Sequence, residues 1–358
     1  MANRIFCRSP FYLTIVGTAN DTTRVDLYIW NGTGSAPVSP QIQLSKPIPS
    51  TLITRNIYDI SPYLRDYIEF TQRVIHHDSF AFTYDSDEYC NVTAKTYLND
   101  VLVATTTYYA FDGYTFYEDE ENYDRGRFLL DEGNYYYYYD STSTTALTKV
   151  GEVVSELAVG DYIRYTNLST LATSTASPIA TAGVYTTTLV PDGVVYYPVG
   201  AKLEFFDTGN NLLRTYYSYP MEECKYTPLP LDFVNKYGVW QRQWLFKASR
   251  TSLETMGNEY KMKPNNINAS NNAYNSIVGT RKMFNVNGKQ SIKINTGWVD
   301  ESWNDVLEQI MLSEVILLDL KPVKLNNRST ELFTHINDKL INYTLEFDYA
   351  YDKINAGF

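Results

Sequence analysis

The 358-residue chain has little of what most chemistry needs. It has three cysteines, Cys7, Cys90 and Cys224, at long spacings and with no CxxC pair. A disulfide framework or a zinc site is therefore not expected, and reduced thiols in a protein made in a cytoplasm are the simpler reading. It has three histidines. His76 and His77 are adjacent, so on a strand they point to opposite faces and do not share one metal. There is no HExxH, no GxSxG, no GxxxxGK[ST] and no GxGxxG, which leaves no catalytic, cofactor or metal-ligating residue to name. No run of ~18 apolar residues is present, so no membrane span is expected, and the N-terminus has no apolar core after a basic start to act as an export signal.

Charged residues make up 20% of the chain and the net charge is −11. That balance argues against nucleic acid as a partner, because a phosphate-backbone binder carries a basic face. The charge is uneven. Residues 1–224 hold 14 Lys and Arg against 27 Asp and Glu, whereas residues 225–358 hold 16 against 14.

What the chain has in excess is tyrosine, 33 residues, within an aromatic content of 15%. Tyrosine suits strands and half-wet contact surfaces. The dominant hydrophobic period is two, which predicts a mainly β protein. Val25, Leu27 and Ile29 alternate with Asp26, Tyr28 and Trp30. Val92–Leu98 and Val101–Tyr109 flank Asn99-Asp100 and predict a hairpin. Ala201–Phe206 and Leu212–Ser218 predict a second around 207–211. Lys282–Val286 and Lys289–Ile294 flank Asn287-Gly288, the preferred type I′ pair, and predict a third. Ile341, Tyr343, Leu345, Phe347 and Tyr349 share one face of a final half-buried strand.

Two helices interrupt the strands. Ser61-Pro62 reads as an N-cap followed by proline at the first helical position, giving a short helix over 62–70. Trp303, Val306, Leu307, Ile310 and Met311 form an apolar stripe that predicts a core-facing helix at about 301–313, capped by Asp300 or Ser302. Composition divides the chain in three: a β-sandwich-like domain at 1–115, a Tyr/Ser/Thr-rich inserted β subdomain or arm at 116–222, and a β-rich domain with the amphipathic helix at 223–358.

The remaining candidates are contact residues. Tyr135, Tyr136, Tyr137, Tyr138 and Tyr139 form a run that can stack sugars, lie in a subunit interface, or alternate in and out of an ordinary sheet. Trp240, Arg242 and Trp244 fall on one face of a strand, where a cation–π ladder would serve packing or contact. The acidic segment 117–124 carries carboxylates beside aromatics, as a glycosidase requires, but acids bunched in one polar loop read as solvated.

Five segments carry a resemblance: Ala2-Asn-Arg-Ile-Phe-Cys-Arg-Ser-Pro-Phe-Tyr12, Ile60-Ser-Pro-Tyr-Leu-Arg-Asp-Tyr67, Leu231-Asp-Phe-Val-Asn-Lys-Tyr-Gly-Val-Trp-Gln-Arg-Gln-Trp244, Val286-Asn-Gly-Lys-Gln-Ser-Ile-Lys-Ile-Asn-Thr-Gly-Trp298, and Thr334-His-Ile-Asn-Asp-Lys-Leu-Ile-Asn-Tyr-Thr-Leu-Glu-Phe-Asp-Tyr-Ala350. Together they resemble virion structural proteins of tailed bacteriophages infecting Bacteroidota, crAss-like phages included. The resemblance touches both ends and skips much of 116–222. It implies a non-enzymatic tail, baseplate or neck-ring subunit. Such a subunit assembles in the host cytoplasm into a homo-oligomeric ring of the virion, through head-to-tail contacts, and docks other phage tail, neck or baseplate proteins. The assembly reading further expects the apolar area of 116–222 to be exposed in an isolated chain. The alternative is a carbohydrate-binding or glycan-cleaving tail module, with a groove of Tyr and Trp beside two facing carboxylates.

Overall fold

A computed structural model of the chain describes residues 3–32, 34–49, 53–70, 82–84, 87–119, 127–138, 151–189, 199–223, 225–263, 277, 279–299, 301–326 and 341–354. Strands account for 55% of the described residues and helices for 6%, so the protein is mainly β.

The first region contains β1 (Asn3–Phe6), β2 (Tyr12–Val16), β3 (Thr22–Asn31), β4 (Ile42–Pro47), β5 (Arg55–Asp59), α1 (Ser61–Arg65), β6 (Phe82–Thr83), β7 (Tyr89–Leu98) and β8 (Val101–Phe111). Five of these strands form one sheet in the order β1-β8-β7-β3-β4, and β2 pairs with β5 as a separate ribbon. The period-two pattern explains the packing. Val25, Leu27, Ile29, Val92 and Ala94 project from the sheet and meet Ile15 and Tyr58 of the ribbon in one core. The expected turn at Asn99-Asp100 is present, with φ of 49° and 62° and Leu98 paired to Val101. Both residues adopt the left-handed backbone that a two-residue loop needs, which Asn and Asp tolerate. The first helix is shorter than predicted. It stops at Arg65, and its N-cap is Ile60 rather than Ser61. The Asp59 carboxylate accepts the Ser61 N–H at 3.2 Å and the Phe11 N–H at 3.1 Å, so one of the helix's first N–H groups is satisfied from outside the helix, and no side chain caps it.

The second region contains β9 (Asn134–Tyr138), β10 (Glu152–Leu157), β11 (Tyr162–Asn167), β12 (Thr173–Thr175), β13 (Gly183–Thr188), β14 (Ala201–Phe206) and β15 (Leu212–Met221). They form two sheets, β10-β13-β6 and β12-β11-β14-β15-β9. The hairpin predicted around 207–211 joins β14 to β15. Leu130, Tyr137, Val153, Ile163, Tyr165, Leu203, Phe205 and Tyr216 share a core between the sheets. The expectation that apolar area here lies open in the isolated chain is therefore overturned for the described residues. Two facing sheets supply each other's cover, at about 1.5–3 kcal/mol for each large side chain buried.

The third region contains β16 (Leu229–Val234), β17 (Trp240–Leu245), β18 (Ser249–Lys261), β19 (Arg281–Asn295), α2 (Trp303–Leu312), β20 (Ile316–Leu318), β21 (Lys321–Leu325) and β22 (Thr344–Tyr349). The seven strands run β17-β16-β20-β21-β22-β19-β18. The apolar stripe of α2 packs as its spacing dictates: Trp303, Leu307 and Ile310 bury against Leu231, Phe233, Ile294, Leu345 and Phe347. Ser302 takes the N-cap position but its side chain makes no capping hydrogen bond. The third predicted hairpin is absent. Asn287 and Gly288 lie inside the continuous strand β19, opposite Met256 and Thr255 of β18. Pairing along the whole of β18 satisfies more backbone than a short hairpin would, and it overrides the local Asn-Gly preference. The Asn287 side chain instead holds the chain's end, accepting the Ile354 N–H and donating to the Ile354 carbonyl, both at 3.0 Å.

The three regions are welded by a shared cluster. Phe6, Tyr84, Tyr89 and Phe111 from the first pack with Leu129, Val154 and Val184 from the second and Val239 from the third. The backbones also approach closely there. Gly238 has φ +78°, and a Cβ on it would stand 2.4 Å from the Gly113 nitrogen.

Candidate functional site

The tyrosine run lies on β9, which pairs in parallel with the end of β15. Strand alternation sends Tyr135 and Tyr137 inward, 7% and 0% exposed, and leaves Tyr136 at 37%. Tyr138 is half-buried and its ring packs 5.8 Å from that of Trp244. Tyr139 lies outside the described residues. The Tyr135 hydroxyl donates to the Asp131 carbonyl, and burial holds that phenol well above its ordinary pKa.

On β17 the three one-face residues do different things. The Trp240 indole N–H donates to Glu88 at 2.8 Å, and the Trp240 ring is buried. Arg242 is paired with Asp232, its register partner on β16, and neither is open to solvent. Its guanidinium also stands 5.8 Å from the Trp244 ring. The expected Trp–Arg–Trp ladder is thus one step on its Trp244 side, with Trp240 committed to Glu88. Of the predicted contact residues, Tyr135, Tyr137, Trp240 and Arg242 sit in the chain's own interior, whereas Tyr136, Tyr138 and Trp244 reach its surface.

Behind this face is a polar hub that the sequence does not signal. Asp131 accepts from the Tyr237 hydroxyl at 2.6 Å and from the Gln309 carboxamide at 2.9 Å, and pairs with Lys236 at 3.2 Å. Burial pushes the Asp131 carboxyl up, but these three partners together hold it below the usual carboxylate range. Gln309 also accepts the Lys236 backbone N–H at 3.2 Å. It sits on the buried face of α2 among apolar residues, so its polarity would not mark it as a core position.

Where the start of β9, the end of β17 and residues 296–299, 302 and 303 converge, a cleft of about 180 Å³ opens. Tyr136, Trp244, Trp298 and Trp303 line it, with Asn134, Gln243 and Lys247. Trp298 is 66% exposed, while Trp303 is buried and stacked on Tyr343 at 6.4 Å. Lys247 is ion-paired with Glu223 at 3.2 Å. Sequence reasoning assigned Trp303 to the helix core and gave Trp298 no role. The signal available was Trp298 directly after Gly297, whose φ of +82° turns the chain and leaves the indole outside.

The second exposed feature is the β18–β19 ribbon. All thirteen residues of β18 are exposed. Among the described residues, only the Ser291–Asn295 end of β19 pairs with β22, and the rest of the ribbon runs on as two strands. Leu253, Met256, Tyr260, Met283, Phe284 and Val286 are each more than 40% exposed on it.

Cys7 and Cys90 are buried free thiols; Cys224, His76, His77 and His335 lie outside the described residues. Among the described residues no three His, Cys, Asp or Glu side chains converge on a metal position, and no helix is long and apolar enough to cross a membrane. No protein-family model matches the chain, and no curated protein matches it in sequence.

Proposed function

We propose that the chain is a non-enzymatic structural subunit of a tailed-phage virion. It would be a tail, baseplate or neck-ring component that assembles into a symmetric oligomer in the host cytoplasm and docks other tail, neck or baseplate proteins. The β18–β19 ribbon carries this reading. A two-stranded ribbon is marginal in water on its own, and exposed apolar side chains along it mark a contact surface. A partner that covers it gains about 25 cal/mol for each Å² of apolar surface removed from water.

Charge favours a second copy of the chain as one such partner. The ribbon carries Arg250, Lys261, Arg281, Lys282, Lys289 and Lys293 against Glu254 and Glu259. Residues 1–224 hold the acidic excess. A basic arm on one part of the chain and an acidic body on another suit head-to-tail contact, which closes into a ring when the rotation allows. The segments that resemble phage structural proteins include 231–244 and 286–298, which lie on β16, β17 and β19.

The test is sedimentation of the purified chain beside a Met283→Ser, Phe284→Ser variant, together with mass spectrometry of purified phage particles. The expected result is an oligomer that the variant loses at unchanged melting temperature, and a chain present in particles at fixed stoichiometry. A chain that sediments only as a monomer and is missing from particles overturns the reading.

A further inference from the structure

We propose that the cleft between β9, β17 and residues 296–299, 302 and 303 binds one neutral sugar ring at the end or along the edge of a glycan. Three of the chain's five tryptophans, Trp244, Trp298 and Trp303, line it together with Tyr136. Aromatic walls beside a few fixed polar groups are the general make-up of a small-molecule site.

The volume sets the size of the ligand. About 180 Å³ holds the equivalent of about six waters at ~30 Å³ each, far below the ~300–1,000 Å³ that engulfs a drug-sized molecule. One six-membered ring enters and the rest of the molecule stays outside, where the exposed indole of Trp298 offers a second flat face.

The polar groups set the chemistry. Gln243 lines the cleft at 7% exposure, and its carboxamide is not among the polar groups sealed from water without a partner. A carboxamide that still meets water at a cleft can exchange that water for a ligand hydroxyl. It offers both a donor and an acceptor, and so does Asn134 at the rim; sugar hydroxyls require both. A cationic ligand such as a quaternary ammonium would want a carboxylate in the aromatic cage. The cleft's described lining has none and carries Lys247 instead. A phosphate would want an unpaired cation, and the Lys247 ammonium is held by Glu223. With no carboxylate in the described lining, the proposal is binding alone, and no glycosidic bond is broken. It does not depend on the assembly reading, since the cleft is formed within a single chain.

The experiment uses the full chain and methyl glycosides of glucose, galactose, mannose and N-acetylglucosamine, with choline as the cationic control. Saturation-transfer NMR and tryptophan fluorescence report binding. The expected result is saturation by at least one glycoside and none by choline. Affinity should fall at least tenfold in Trp298→Ala and in Gln243→Leu. Trp298 is exposed, so its variant should keep the wild-type melting temperature and remain interpretable even if Gln243→Leu misfolds. Binding of no glycoside, binding unchanged in a folded Trp298→Ala, or saturation by choline alone overturns the proposal.

Discussion

Arg242 donates through Nε and Nη2 to the two carboxylate oxygens of Asp232, at 2.9 and 2.5 Å, across adjacent strands and wholly inside the chain. A fork-to-fork pair of this kind satisfies both groups at once. Its geometry explains why Arg242 is not available as a surface anchor.

Removing one partner leaves the other as an unpaired buried charge. Arg242→Met is expected to cost about 3–5 kcal/mol of stability. The double variant Arg242→Met, Asp232→Leu is expected to recover most of that, because an apolar pair of similar size replaces the ions at little net cost. Urea denaturation of both variants, arranged as a double-mutant cycle, checks the coupling. Equal losses in the single and double variants would show that packing and not charge governs the site.

The contact between Gly238 and Gly113 leaves no room for a methyl group. Gly238→Ala combines a left-handed φ with a Cβ 2.4 Å from a backbone nitrogen, and is expected to cost more than the ~1–3 kcal/mol of such strain alone. Gly279→Ala is the control, since its Cβ meets nothing nearer than 3.8 Å. Differential scanning calorimetry should show a large fall in Tm for the first and almost none for the second.

Acid should act partly through Asp131. Its carboxyl is held below the ordinary value of about 3.9, so its contribution to stability is complete above that pH and disappears as pH falls through the lower, folded-state value. Asp131→Asn is expected to be less stable than the parent at neutral pH by about 1.5–3 kcal/mol, the range for a hydrogen-bonded charge. The gap should close below about pH 4. Unfolding free energies measured between pH 7 and pH 3 test the sign: a gap that widens in acid contradicts it.

Burial pushes the Cys7 thiol well above its ordinary pKa and the Cys90 thiol up to about 12. Both should therefore resist iodoacetamide at pH 8 in the native chain and react fully in guanidinium. Peptide mapping reads each site. Rapid native labelling of Cys90, which is 0% exposed, would mean that the first core opens far more often than its packing suggests.

What could be read in the sequence was what neighbours in the chain decide. The hairpins at Asn99-Asp100 and 207–211, the final strand and the stripe of α2 all follow from local periods. The Asn287-Gly288 turn was misread for the same reason that the others were read correctly: its local preference is genuine, but a distant strand outcompetes it. The tyrosine run announced a strand, yet its parallel partner β15 lies about eighty residues later, too far for any local rule to find. The cleft joins residues 134 and 136 to 243, 298 and 303, and no short motif spans such distances. Gln309 and Asp131 were hidden because a buried polar residue reads as an exposed one until its partners are known.

The cluster shared by Phe6, Tyr89, Phe111, Leu129, Val154 and Val239 decides how the chain may be cut. A fragment that stops near residue 115 would bare Phe6, Tyr89 and Phe111 to water and invite aggregation, although its own five-stranded sheet and ribbon would be complete. Proteolysis and recombinant expression should therefore yield the three regions together or insoluble pieces of them, and truncation boundaries drawn from composition alone will fail.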